Sequence, residues 1–290
     1  MASLVGKGRD AIDLIFDSGT FKEGHIDDAV IGEGIGPGAV IGTAMINGTK
    51  ATVIANDAKA MNPRFRVVKL GIIGMEEGYK MALAVYKTVE LDKDKPKNQK
   101  RPLVLIVDTP GNGPGKQEEI FGMNKATGAY QLALAEARHV GHPIIAMVIG
   151  RAISGAFLCH GLQADHILAL PKEFNTMIHV MPLTSISRIT KMDIEKLESL
   201  AQSNPVFASG ASFFHKLGGI EEIVNSIEDM KAVIDKHIKE VYALKGEGKD
   251  DLVGPWGRGQ LGKERGGRET RMKIIETMKK EFAAIASEYK

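Results

Sequence analysis

The chain has 290 residues and a net charge of +2, and it is 43% hydrophobic and 26% charged. That is the profile of a soluble globular protein with enough length for a substantial core. The small charge offers no basic face for nucleic acid, and the single cysteine, Cys159, excludes an internal disulfide or a cysteine-built zinc site.

No run approaches the roughly 20 apolar residues of a membrane span. The first ten residues lack the apolar core of a signal peptide. One cysteine fits a reducing compartment. The expected location is therefore cytoplasmic, with no nucleic-acid partner and no membrane insertion. The 33 glycines are interspersed with apolar runs and argue for tight turns and close backbone approaches.

In chain order, residues 11–16 form the apolar face of a short helix closed by Asp17-Ser18-Gly19. Residues 32–38 are a Gly-rich loop. No strand precedes it and Pro37 interrupts it, so it is not read as a dinucleotide fingerprint. Residues 39–46 and 50–55 are β-prone runs joined by Asn47-Gly48-Thr49, a hairpin signal. Residues 70–90 have helical periodicity, and 92–101 are a charged loop. Residues 102–107 are a continuous apolar run, which predicts a central strand covered on both faces. A single helix is predicted from about Gln117 to Val140. Strand 144–149 follows the break at Gly141-His142-Pro143. Short strands at 167–170 and 177–180 and helices at 193–202, 205–217 and 226–244 complete an α/β alternation. We expect one domain over residues 1–245. Residues 246–290 are then a C-terminal basic arm and helix.

Two strand-to-loop-to-helix junctions share a layout, one from Asp108 to Gly115 and the other from Gly150 to Ala156. If their strands are neighbours, both loops face one pocket at the same end of the sheet. A helix start leaves backbone N–H groups unpaired. Those of Gly155 and Ala156 could stabilise a carbonyl oxygen as it gains charge, with Gly111 and Asn112 as a wall. Read plainly, both are tight turns.

Asp108-Thr109-Pro110-Gly111, Gly141-His142-Pro143 and the run Gly150 to Phe157 resemble the acyl-CoA carboxyltransferase branch of the crotonase-like fold. Phe157 to Ala164 resembles the FLAHGYQA stretch of malonate decarboxylase gamma subunits, and Met177 to Met181 resembles their VMVHAM. Ser187 to Lys191 and Glu195 to Glu198 are similar to their ARIT and EELE elements. The resemblance covers roughly residues 8–245. It implies a crotonase/ClpP-like fold of repeated ββα units, of carboxyltransferase C-domain type. It further implies a gamma subunit that acts with a beta subunit on malonyl-S-acyl-carrier protein, giving the acetyl thioester. The CoA-like phosphopantetheine sits on the carrier protein, and this chain carries no covalent cofactor. Gly155 and Ala156 fall where that family's helix-start amides lie. The same resemblance admits a malonyl-S-ACP:biotin-protein carboxyltransferase, which passes the CO2 to biotin on another polypeptide. A third reading is a non-catalytic partner that completes the beta subunit's pocket.

Side chains leave alternatives open. His160 is either the proton donor to the enolate or a histidine packed under the helix. Arg151 either neutralises a carboxylate or carrier phosphate or faces solvent. Ser154 borders the substrate as a small helix-start residue, with no nucleophile elbow around it. Cys159 reads as a buried apolar side chain, and His179 as a strand residue that could face either way. His142, His160 and His166 show no metal-ligand spacing, so no metal is expected. The basic residues from Arg258 to Lys273 are either an arm for an acidic carrier or a solvated segment.

Overall fold

A computed structural model describes residues 3–113, 115–179, 181, 183–203 and 210–289. The strands are β1 (Lys22–Glu23), β2 (His25–Ile26), β3 (Ala29–Val30), β4 (Ala39–Ile46), β5 (Thr49–Asn56), β6 (Leu103–Thr109), β7 (Ile144–Ile153), β8 (His166–Ala169), β9 (Met177–His179) and β10 (Glu222–Ile223). The helices are α1 (Gly8–Ile15), α2 (Met75–Leu91), α3 (Lys116–Phe121), α4 (Met123–His139), α5 (Ser154–Cys159), α6 (Leu183–Thr190), α7 (Ile194–Ser203), α8 (Ala211–Lys216), α9 (Met230–Gly246), α10 (Gly254–Glu264) and α11 (Thr270–Ile285).

The main sheet runs β1-β4-β5-β6-β7-β8-β10, with β9 added to β7. β1, β4 and β5 are antiparallel neighbours, whereas β5 to β10 along this path are parallel. The expected hairpin forms at Asn47-Gly48. Both residues have positive φ, and Ile46 faces Thr49 across a two-residue turn. The alternation of β6 explains why its sequence is apolar throughout. Leu103, Leu105 and Val107 join one core with Met81 and Val85 of α2 and Tyr130 and Leu134 of α4. Val104 and Ile106 join the other core with Ile12 and Ile15 of α1 and Ile234 and Ile238 of α9. Each fully buried aliphatic chain contributes about 1.5–3 kcal/mol.

The helix expected from Gln117 to Val140 is two helices. Gly122, with φ of 97°, ends α3 and starts α4, a left-handed turn that glycine adopts without a Cβ penalty. The first residues of the helix expected from residue 70 form a left-handed turn at Leu70 and Gly71 instead, and α2 begins at Met75. Val180 and residues 205–209 of the expected strand and helix lie outside the described residues.

Residues 246–290 divide in two. In α10, Arg258 is buried and donates to the carbonyls of Ala164 and Leu162, Arg265 donates to those of His215, Ile220 and Glu221, and Arg268 donates to that of Leu217. These arginines hold the chain to the body and do not form a free basic face. α11 has no buried residue and presents Ile274, Met278, Phe282 and Ile285 to the outside.

Several polar groups are built into the core. Lys245 and Asp165 form a buried ion pair at 2.8 Å, and the same ammonium donates to the carbonyl of His142. His142 donates from Nδ1 to the carbonyl of Arg101. His160 lies between the Ile106 carbonyl, 3.0 Å from Nε2, and the Tyr130 hydroxyl, 2.9 Å from Nδ1. A carbonyl only accepts, so Nε2 carries the hydrogen and Nδ1 accepts from Tyr130. Burial pushes both histidines down to about 4.

Two predictions follow from this polar core. Replacing Lys245 by Met leaves the Asp165 carboxylate buried without its cation, and urea unfolding should show a loss of about 3–5 kcal/mol. The histidine contribution is complete above pH 6.5, where both rings are neutral folded and unfolded. As pH falls from 6.5 towards 4 the unfolded chain takes up protons first. Stability should therefore drop by on the order of 2 kcal/mol per histidine by pH 5. His160→Gln, less stable at pH 7.5, should show a shallower fall of the urea midpoint over that range.

Candidate active site

The site is built where β6 and β7 end side by side. The two strands are parallel neighbours from Leu103↔Ile144 to Thr109↔Ala152, so both glycine-containing loops leave the same edge of the sheet. The Asp108 carboxylate ties them together. Its Oδ1 accepts from the backbone and Nε of Arg151, both at 2.8 Å, and its Oδ2 accepts from the same guanidinium at 3.0 Å and from the amide of Gly6 at 2.6 Å. Arg151 also donates to the carbonyl of Leu70. A Cβ on Gly150 would lie 2.5 Å from Asp108 Oδ1, so only glycine leaves the carboxylate its place.

The loop after β6 is held by a second strand-like contact. Ile73 donates to the Gly111 carbonyl at 3.1 Å and accepts from the Gly113 amide at 2.9 Å. Gly111 has a φ of +140° and its Cβ direction points into open space. On the other loop Ser154, exposed, has a φ of +58°. A non-glycine residue there costs about 1–2 kcal/mol. This single left-handed residue turns the chain sharply from β7 into α5. A Cβ on Gly155 would sit 2.4 Å from Asn112 Oδ1, so the two loops touch at this pair. The result is an open shelf with Gly111 and Asn112 on one side and the first turn of α5 on the other. The leading amides of a helix have no acceptor within it. Gly155 and Ala156 lie in that first turn of α5.

The structure brings Gly111, Asn112, Ser154, Gly155 and Ala156 together, as the two-loop expectation requires. It corrects the expectations for two side chains. Arg151 is neither a free cation nor a solvent-facing one, because Asp108 and Leu70 occupy its guanidinium. His160 is placed one turn below the shelf with both ring nitrogens hydrogen-bonded, so it has no proton to offer an enolate; its role is to position α5 on β6. Cys159 is buried, donates to the Ala156 carbonyl at 3.2 Å, and is pushed up to about 12 by burial, so it stays a thiol.

His179 is the side chain that sequence reasoning underweighted. β9 pairs with the end of β7 so that His179 is level with Ile153, next to the Ser154 turn. Its Nδ1 is buried with no hydrogen-bond partner among the described residues, and burial lowers its pKa. The alternation of a three-residue strand was too short to show which way it faces. The Asp108–Arg151 pair was likewise missed, although an acid and a base at matching strand ends were the available signal.

Residues 68–282 match the family model described as malonate decarboxylase gamma subunit. The malonyl-S-ACP:biotin-protein carboxyltransferase MADD of Malonomonas rubra is 62% identical over 289 residues, covering 99% of each chain. Among solved structures, a Pseudomonas malonate decarboxylase hetero-tetramer in complex with coenzyme A superposes with a TM-score of 0.73. It is 28% identical and covers 94% of this chain and 99% of that one. A Pseudomonas MdcD-MdcE hetero-dimer matches with a TM-score of 0.64 at 31% identity, over 84% of this chain and 92% of that one. The carboxyltransferase-like, crotonase-type fold expected from the motifs is thereby borne out. These relatives are carboxyltransferase and decarboxylase subunits, and this chain belongs to the malonate decarboxylase gamma subunit family.

Proposed function

We propose that the chain is one subunit of a malonyl-S-ACP:biotin-protein carboxyltransferase. The observation that carries this is the 62% identity to the Malonomonas rubra enzyme over 99% of both chains, against 28% to the Pseudomonas decarboxylase of the same family. The motif resemblance alone favoured the biotin-independent decarboxylase, which becomes the second reading. The two share the bond-breaking step. Losing CO2 from a malonyl thioester leaves an enolate, and hydrogen bonds that strengthen as its oxygen gains charge lower the barrier. In this reading the Gly155 and Ala156 amides supply those bonds, and Gly111 and Asn112 border the acyl group. Biotin, carried by a separate protein, accepts the carboxyl group. Gly111, whose Cβ direction is open, leaves room for a planar acyl group beside the Asn112 side chain that packs against Gly155.

The shelf is open on its outer side, where Ser154 is exposed. A partner surface is needed to exclude water, because a desolvated carboxylate loses CO2 more readily. The Pseudomonas MdcD-MdcE hetero-dimer supports a beta-type partner, which we place over the shelf, and the acyl-carrier protein delivers the substrate on its phosphopantetheine. Cytoplasmic location is part of this proposal; among the described residues no helix is long and apolar enough to cross a membrane.

The test is an assay of the complex with its partner subunit on malonyl-carrier protein. Carboxyl transfer should require the biotin protein; steady CO2 release without it would select the decarboxylase. Gly155→Val should displace Asn112, fill the shelf and lower turnover by about 10²–10³-fold, the scale of a lost oxyanion donor, with the complex intact. Unchanged turnover would select the non-catalytic reading. Ser154→Gly keeps the amides and relieves the left-handed residue. It should leave turnover within about threefold and raise stability by up to about 1 kcal/mol in urea unfolding.

A further inference from the structure

We propose that His166, His237 and Glu240 bind a divalent transition-metal ion, at a site separate from the shelf. His166 opens β8, and His237 and Glu240 lie three residues apart on one face of α9. The two imidazoles are 8% and 5% exposed, whereas Glu240 reaches in from the surface. Their ligand atoms converge. His166 Nδ1 and His237 Nδ1 are 2.8 Å apart, His237 Nδ1 and Glu240 Oε2 are 3.0 Å apart, and His166 Nδ1 and Glu240 Oε2 are 4.0 Å apart. A point equidistant from three atoms so spaced lies about 2 Å from each, the length of a zinc–nitrogen or zinc–oxygen bond, but nearly on the line from His166 to Glu240; tetrahedral binding therefore requires the half-exposed Glu240 carboxylate to swing out of that line.

The surroundings prepare these atoms for a cation. His237 Nε2 is 2.9 Å from Glu222 Oε2, and a carboxylate there accepts the ring hydrogen. That leaves the Nδ1 lone pair aimed at the centre, towards the Glu240 carboxylate. Without an ion the His166 Nδ1–H donates to this lone pair, and the Glu240 carboxylate 3.0 Å away is left facing a second acceptor; a cation at the centre would replace that hydrogen and satisfy all three atoms. A carboxylate that orients a ligating histidine from behind is a recurrent feature of metal sites, and Glu222 is itself held by Lys236. Two imidazoles and one carboxylate suit Zn2+, Co2+ or Ni2+ better than Mg2+ or Ca2+. A cavity of about 330 Å3, which Leu252, Gln260 and Leu261 also line, leads to the three residues and leaves room for a water as fourth ligand.

The position indicates the role. His166 is level with Ile145 near the start of β7, while the shelf begins after Ile153. Eight residues of strand separate them by roughly 26 Å. A metal here joins β8 to α9 and touches no part of the shelf. The sequence expectation of no metal weighed His142, His160 and His166, and it did not reach His237 because 71 residues separate it from His166.

The test uses the full chain, stripped with a chelating resin and titrated with Zn2+ in a calorimeter and with Co2+ in an absorption spectrometer. The expected result is one Zn2+ per chain bound at micromolar affinity or tighter. Co2+ should give visible d–d bands, and the melting temperature should rise at saturating Zn2+. Glu240→Gln changes a half-exposed side chain and should fold normally. It should weaken Zn2+ at least tenfold and cancel the thermal shift. Glu222→Gln should weaken binding 10–100-fold, and His139→Gln, an exposed histidine elsewhere, should bind as the unaltered chain does. Turnover of the complex should be the same with and without Zn2+. No stoichiometric binding by the unaltered chain would overturn the proposal in favour of a hydrogen bond between the two imidazoles. Equal affinity in Glu240→Gln would overturn it as well.

Discussion

The Asp108 carboxylate is the constraint on which the shelf depends. It is the last inward-facing acid of β6, and through four hydrogen bonds it fixes the end of β7, the guanidinium of Arg151 and the amide of Gly6. A buried charge is tolerated only when such partners replace its water. Removing one partner of such a pair costs about 3–5 kcal/mol, because the other is left charged and unpaired. The pair therefore forces β6 and β7 to end at matched heights. It also dictates Gly150, whose missing Cβ is the space the carboxylate occupies. Arg151 extends the same tie to the carbonyl of Leu70 and so reaches the segment that pairs with the Gly111 loop.

With the two strand ends locked, the chain must turn into α5 within one residue. Ser154 makes that turn in the left-handed region. The strain it stores is small beside the ion pair that maintains it, and the benefit is a helix start aimed across the β6 loop. Beneath it, His160 fixes the height of α5 by bonding to the backbone of β6 and to Tyr130 of α4. The side chains under the shelf are thus inert by construction, with a neutral imidazole and an undissociated thiol. In the proposed reading the shelf offers a ligand backbone amides and the Asn112 side chain, with the exposed Ser154 hydroxyl at its edge. In that reading the amides, and not a side-chain nucleophile, carry the chemistry, which suits a reaction whose bond-breaking step releases CO2.

Much of this was legible because it rests on local rules. The Asn47-Gly48 hairpin, the doubly buried β6 and the helix start at Gly155 each follow from a few adjacent residues. The parts that were not legible depend on residues far apart in the chain. Arg151 looks like a free cation until β6 brings Asp108 beside it 43 positions away. Arg258 and Arg265 look like a basic arm until the carbonyls of residues 162–164 and 215–221 are seen to end on them. The break at Gly122 is local but ambiguous, because glycine inside an apolar-periodic segment reads equally as a tolerated helix residue. His179 falls on a strand too short for alternation to assign a face.

The two ends of the parallel strands have opposite characters, and this explains how one sheet can be both rigid and open. At the starting end, Arg101 before β6 pairs with Asp92 and Asp27, His142 before β7 bonds to Arg101, and Asp165 before β8 holds Lys245. Burial alone would push Asp92 up, but the hydrogen bonds from Arg101 hold it at about 2. Lys245 and His237 both belong to α9, so that helix is fastened to the starting end of the sheet at its middle and at its last turn. Such networks of specific pairs favour a single register, although His142 Nε2 and Asp165 Oδ1 find no partner among the described residues. Around the shelf the finishing end carries the Asp108 tie, the strained Ser154 turn and the glycines of the two loops. Rigidity concentrated at one end leaves the other free of side chains that would block a ligand or a partner subunit. The shelf can then remain an open half-site without the sheet behind it shifting when the other half is supplied.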